Sequence, residues 1–299
     1  MKKKSFGFIA LDALYIAMML LPILAAIVLK VLTTPLSNGV EIMGARIFFT
    51  VPMPIQDLIV SEAQINSLCV MIALSGLCLF LTHGLKTRNI SIRQHLSEWI
   101  VEKVDKLVKE SMGEYFMGFV PFIIAIFGLS AFSSFLSLVG LFPPTSDINI
   151  VGGWALLVFF LITYYKMKCG PLSYLKGFAQ PVAFLAPINF ISEFATPISM
   201  AFRHYGNVLS GSVIAVRLAT AFQGLSNLLL GWLPGFLGEF PFLQIGIPAI
   251  LSAYFDVFSG GLQAFIFAML TMMYVSDGFA IDEYFTRKAA KQNKKSASK

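Results

Sequence analysis

Charge is scarce in this chain. Asp, Glu, Lys and Arg make up 13% of its 299 residues, where a soluble domain of this size carries about a quarter. So little charge cannot keep a whole surface in water, and a hydrophobic content of 57% points to lipid instead. Cysteine is also rare. Cys69, Cys78 and Cys169 form no metal or redox spacing, and three thiols argue against a disulfide framework. Cys69 and Cys78 share one apolar run and read as packing residues. The G-x-x-x-x-G-K-[ST] phosphate loop is missing, so no nucleotide is expected to bind here. The net charge of +6 does not indicate a nucleic-acid partner, because the basic residues sit at the ends of apolar runs rather than in one patch. No cofactor or metal is expected.

What is abundant is long apolar runs. A helix crosses the hydrocarbon core with about 20 residues. Runs of that order cover Phe8 to Leu29, Ile65 to Leu85 and Phe116 to Phe142, with a shorter one from Ile150 to Tyr165. Two longer stretches follow, Ile188 to Leu230 and Leu243 to Ser276. The expected fold is an all-α integral membrane protein with six membrane-embedded helices. Lys2, Lys3 and Lys4 before the first run resemble the start of a signal peptide. That run is long for a signal core, however, and no small-x-small site closes it, so an uncleaved anchor is expected.

Basic residues set the topology. They precede the first run, follow the second (Lys86, Arg88, Arg93, Lys103, Lys106, Lys109), follow the fourth (Lys166, Lys168, Lys176) and close the chain from Arg287 to Lys299. The other loops hold Arg46 and little else that is positive. Six crossings with both termini in the cytoplasm put every basic cluster on one side. Ile92 to Lys109 alternates apolar and charged residues at helical spacing, as an amphipathic helix on the membrane surface would. Ile42 to Val51 is β-branched and aromatic and predicts a short hairpin. The tail after Asp282 is basic and suited to contact with anionic lipid.

The fifth stretch is too long for one upright crossing. As a single helix it would span about 64 Å, roughly twice the hydrocarbon thickness. It must therefore tilt steeply or break, with Pro197 and Gly206 as places to bend. In the last stretch Pro248 and Gly260-Gly261 are the corresponding candidates. Between the two, Gly231 to Pro241 carries Trp232, Phe236 and Phe240, as an interfacial turn would. The polar residues gather in this hairpin: Glu193, Arg203, Asn207, Arg217, Asp256 and Gln263. Ionisable groups in a bilayer are costly, and they are functional or closely paired. Arg203, Asn207, Gly211, Ala215 and Ala219 form a ridge at four-residue spacing, small on its outer half, that lets another helix approach. Asp256 and Gln263, seven apart, share a face of an α-helix.

Phe202-Arg203-His204-Tyr205-Gly206-Asn207 followed by Leu209-Ser210-Gly211 resembles the arginine-bearing helix of subunit a of bacterial F-type ATP synthases. Gln263-Ala264-Phe265-Ile266-Phe267, continuing through Leu270-Thr271 to Tyr274, resembles the partner helix of that subunit. Pro144 to Asn149 is similar to its loop before the fourth span. The resemblance runs in order from about residue 63 to 277. It divides the chain into an N-terminal anchor and outer loop (1–62), the family's membrane domain (63–281) and a basic cytoplasmic tail (282–299).

The resemblance implies a stator in a bacterial cell membrane, working against a rotating c-ring and held by peripheral stalk subunit b. Two half-channels would carry protons to and from carboxylates on the ring, so that ion flow drives ATP synthesis in other subunits. The chain would have no catalysis alone. It implies that Arg203 is the fixed cation facing the ring, with Asn207 lining the same face and Gln263 hydrogen-bonding and orienting the guanidinium. Asp256 would serve the outer half-channel, and Glu193 would lie near the cytoplasmic mouth. The family position that often holds Glu or His opposite Asp256 corresponds to Ser212, which cannot carry a charge.

Each residue also has a plainer explanation. Arg203 is chemically suited to a structural ion pair with Asp256 or Glu193. Asn207 and Gln263 suit polar contacts between helices. Glu193 suits snorkelling to an interface, and so does Arg217, whose other reading is the tuning of Asp256 or Glu239. His204 points away from Arg203 and reads as a packing or interfacial residue. Two other functions are compatible with the runs: the same stator working on sodium ions, and a self-contained secondary transporter. The transporter is disfavoured because no inverted repeat is visible.

Overall fold

The computed structural model describes residues 6–33, 44–54, 57–87, 90–178, 184, 186–232, 250–251, 253–279 and 284–286. Among them, six helices are long and apolar enough to cross a membrane. The chain is a multi-pass membrane protein. Helix α1 spans Phe6–Thr33 and α2 spans Glu62–Thr82. Between them lies the expected hairpin, β1 (Ile47–Val51) paired antiparallel with β2 (Leu58–Ser61). Helix α3, Ile92–Met112, is the amphipathic segment. It starts at Ser91, whose side chain accepts a bond from the Gln94 amide, and stops at Gly113, where φ is 85°. That left-handed backbone suits glycine and turns the chain into the next span.

The third span is α4, Val120–Phe135, extended at both ends by 3₁₀ turns over Glu114–Phe119 and Leu136–Val139. Pro144–Ser146 forms a further 3₁₀ turn. Asp147 then caps α5, Ile148–Lys168, by accepting from the Asn149 amide at 2.9 Å. The short α6, Pro171–Phe178, precedes α7, Ala186–Leu230. The last span opens with a π-helical turn over Tyr254–Ser259 and continues as α8, Gly260–Asp277.

Helix α7 is one continuous element of 45 residues despite Pro197 within it. It does not break at Pro197 or Gly206. At 1.5 Å per residue it is about 67 Å long, roughly twice the hydrocarbon thickness. In the last span the irregularity falls at the π turn, immediately before Gly260-Gly261. Pro248, Phe236, Glu239, Phe240 and most of the basic tail lie outside the described residues.

Helix α8 is as enclosed as the third span. Gly260, Gln263, Ala264, Phe267, Ala268, Thr271, Met272 and Val275 are buried on it, the i, i+3, i+4, i+7 pattern of a helix packed against several neighbours. Phe267, Met272 and Val275 join Phe116, Ile123 and Val158 in the largest core cluster. Helix α1 is held against α2 at close range. A Cβ on Gly76 would sit 2.9 Å from the Met19 backbone nitrogen, so only glycine allows this approach. At one end of the pair, Asp12 Oδ1 accepts from Arg93 Nη1 at 2.9 Å and lies 2.9 Å from His83 Nδ1. Phe8 stacks on the His83 ring.

Candidate functional site: the α7–α8 helix pair

Helix α7 has one inward stripe and a broad exposed surface. Pro197, Met200, Ala201, His204 and Gly211 are buried. Arg203 lies on the exposed side next to Phe202, which is 60% exposed. Among the described residues Arg203 makes no hydrogen bond or ion pair. The structural pair with Asp256 or Glu193 is therefore not formed. Arg217 is also exposed, fourteen positions along the same helix.

Two contacts fix how α7 meets the last span. Asn207 Nδ2 donates to the Ser259 carbonyl at 3.3 Å, and Ser259 Oγ donates to Asn207 Oδ1 at 3.0 Å. One turn on, a Cβ at Gly211 would stand 3.5 Å from Phe255 Cβ. Moving from 207 to 211 on one helix moves from 259 to 255 on the other. The pairing is antiparallel, and the same register brings Gln263 level with Arg203. The ridge read from the sequence thus meets a helix at Asn207 and Gly211, while Arg203 stays on the open side. Gln263 is buried on α8, and no hydrogen bond joins it to Arg203 among the described residues.

The π turn explains the chemistry around Asn207. Bonds from i to i+5 leave backbone carbonyls displaced from the regular ladder. The Asn207 amide supplies a donor to one of them, at Ser259. Asp256 lies inside this turn, half-buried. The wider turn between Asp256 and Gln263 offsets the common face that a seven-residue spacing gives in a regular α-helix. Asp256, Asn207, Gly211, Ser134 and Gly260 enclose a small cavity at the joint. Ser212 sits within a turn of the level of Asp256. Its hydroxyl donates to the Leu209 carbonyl of its own helix at 2.8 Å.

Ten positions from Arg203, about 15 Å along α7, Glu193 is held from α5. Lys166 Nζ donates to both carboxylate oxygens at 2.7 Å. The Tyr174 hydroxyl of α6 makes a longer contact at 3.5 Å. Burial pushes the Tyr174 phenol above its ordinary value, and the charge and hydrogen bond of Glu193 add to the rise. These groups line a cavity of about 480 Å³ with Asn189, Thr196 and Gly278. Glu193 is a paired group on a polar cavity and not a free snorkelling carboxylate. Among the described residues no cluster of His, Cys, Asp or Glu is arranged to hold a metal.

Sequence reasoning missed two parts of this arrangement. Lys166 was legible only as one of a basic group setting topology, because its partner lies 27 positions away. Ser259 and the π turn carry no local signal. His204 packs as the sequence suggests: it is fully buried, with Nε2 3.2 Å from Ser130 Oγ.

The sequence profile of the family described as ATP synthase A chain matches residues 65–276. The chain belongs to that family. It is 34% identical to ATP synthase subunit a of Bacillus pumilus over 224 residues, covering 69% of this chain and 88% of the relative. It is 32% identical to ATP synthase subunit a of Priestia megaterium over 227 residues, covering 71% and 91%. The Macrococcus caseolyticus protein of the same name is 29% identical over 221 residues, covering 69% and 87%. As a member of the family this chain is an ion-channel stator subunit in the membrane sector of an ATP synthase, with no nucleotide chemistry of its own. Membership disposes of the self-contained transporter. Helix α1 and the hairpin lie before the matched region.

Proposed function

We propose that this chain carries protons to and from the carboxylates of a c-ring, with Arg203 as the fixed cation that each ring carboxylate meets. The observation that carries this is the exposed position of Arg203 on a membrane-spanning helix, level with Gln263. A guanidinium stays protonated at any physiological pH. Left facing lipid it costs about 3 kcal/mol even on the mildest scales, so a partner with a negative charge belongs over it. Beside such a partner it favours the ionised carboxylate and drives ion release. Because it does not pass the proton on, it separates the two half-channels.

The outer half-channel reaches Asp256, with Asn207 and the Ser212 hydroxyl beside it. The cytoplasmic half-channel opens through the cavity holding Glu193, Lys166 and Tyr174. Support for this division comes from a cavity of about 480 Å³ at Glu193 on one side of Arg203 along α7 and a void of about 10 Å³ at Asp256 on the other. Gln263 keeps the level of Arg203 polar from the α8 side. The chain sits in the bacterial cell membrane with both termini in the cytoplasm, among lipid and against peripheral stalk subunit b. It binds neither nucleotide nor nucleic acid. Residues 1–62 form an added anchor and outer loop, 63–281 the stator, and 282–299 a basic tail.

ATP-driven acidification of inverted membrane vesicles tests the proposal, comparing wild type with Arg203→Ala at equal complex assembly. Pumping is expected to vanish in the variant. Normal pumping by the assembled variant would overturn the role given to Arg203. Sodium uptake in place of acidification by the wild type would keep the roles and change the ion.

A further inference from the structure

We propose that His204 is a positioning residue for Arg203, fixing the rotation and height of α7 so that the guanidinium faces outward at the level of Gln263. This rests on the role proposed above for Arg203.

Helix α7 is gripped by few side chains. Of its buried residues Pro197, Met200, Ala201, His204, Gly211 and Ser226, only His204 is both large and polar. It is wholly enclosed. Its ring touches three helices at once. Nε2 is 3.2 Å from Ser130 Oγ on α4. The edge of the ring meets Trp154 of α5 with centroids 6.1 Å apart, and Phe267 of α8 with centroids 5.5 Å apart, both nearly perpendicular.

Such a group is a poor choice for stability alone. Nδ1 is buried without a hydrogen-bond partner among the described residues, and a buried unsatisfied polar atom is unfavourable. A leucine or methionine would fill the site without that penalty. What a histidine adds is direction, because the Ser130 bond holds only at one rotation and one height of α7. Arg203 is the preceding residue, about 100° around the helix and about 1.5 Å along it. A slip of α7 by one residue therefore turns the guanidinium from the exposed side towards the packed side. Mid-helix on an element of 45 residues with most of its surface uncovered, a directional contact one residue from Arg203 is the shortest lever available.

The test uses the whole complex in inverted vesicles and reads protons pumped per ATP hydrolysed, together with passive proton leak, for each assembled complex. His204→Ala and Ser130→Ala are expected to lower the coupling ratio at least threefold and to raise the leak. His204→Gln, which keeps a hydrogen-bonding end, is expected to return the ratio to within twofold of wild type. If His204→Ala fails to assemble, Ser130→Ala and His204→Gln decide by the same ratio. Less complex with an unchanged ratio in the alanine variants means a packing role only and overturns the proposal. Loss in both alanine variants without rescue by glutamine overturns it too. Arg203→Ala runs alongside: if that variant stays coupled, the role of Arg203 has failed first, whereas uncoupling there with normal His204 and Ser130 variants defeats this inference alone.

Discussion

Asn207 and Ser259 exchange two hydrogen bonds across the α7–α8 joint, one to the backbone carbonyl and one between side chains. That reciprocal pair fixes which residues of the two helices stand opposite each other. It also ties Asn207, one turn along the same ridge from Arg203, to the last span.

Cysteine pairs test the register directly. Asn207→Cys with Ser259→Cys should form a disulfide on mild oxidation of the complex, because the two side chains already touch. Asn207→Cys with Gln263→Cys, one turn out of register, should not. Equal cross-linking of both pairs would refute the antiparallel register. Asn207→Leu removes both bonds and should lower the thermal stability of the complex by about 1 kcal/mol.

The Lys166–Glu193 pair should behave as a unit. Either Lys166→Gln or Glu193→Gln leaves a half-buried charge without its partner and should cost about 2 kcal/mol. The double variant should recover most of that loss, since neither charge is then stranded. Thermal unfolding of the four proteins gives the coupling directly. Strictly additive losses would mean that the two groups act independently despite their 2.7 Å contact.

Tyr174 supplies a pH signature. Its phenol is raised by burial first and by Glu193 second. A raised value in the folded state means that its stabilising contribution is intact below the ordinary phenol value of about 10 and is lost as pH climbs through the folded value. Stability attributable to this residue should therefore be flat from pH 6 to 9 and fall only in strong alkali. The difference in tyrosinate absorbance between wild type and Tyr174→Phe should show a group ionising later than a free tyrosine. A difference curve centred at or below the ordinary value would contradict the enclosed position.

Gly76 is where α1 and α2 come closest. Gly76→Leu would drive a side chain into the backbone around Met19 and Tyr15, where even a Cβ falls within 3.1 Å. Backbone cannot yield as a side chain end does, and the overpacking should cost about 2 kcal/mol. Limited proteolysis of the complex should then release the α1 segment while the remainder stays assembled. Unchanged protection of α1 in Gly76→Leu would mean that the two helices do not pack as described.

The six spans were readable because each is an apolar run bounded by charge or turn residues, and a bilayer leaves a helix as the natural way to satisfy the backbone of such a run. The amphipathic α3 was readable from its period, and the hairpin from its β-branched cluster. Arg203, Asn207, Asp256 and Gln263 stood out because polar groups are rare in such runs. The pairing of Glu193 with Lys166 was not readable, since nothing local in the sequence links residues on separate spans. Nor was the π turn at Asp256, which carries no local signal in the sequence.

The sequence by itself determined which segments enter the membrane and which side chains bring charge into it, because hydropathy and ionisation belong to each residue. Only the tertiary structure decided which way those side chains face. Helical periodicity groups residues onto faces without saying what each face meets. Packing against α4, α5 and α8 enclosed His204, turned Asn207 and Gly211 to the last span, and left Arg203 on the open surface.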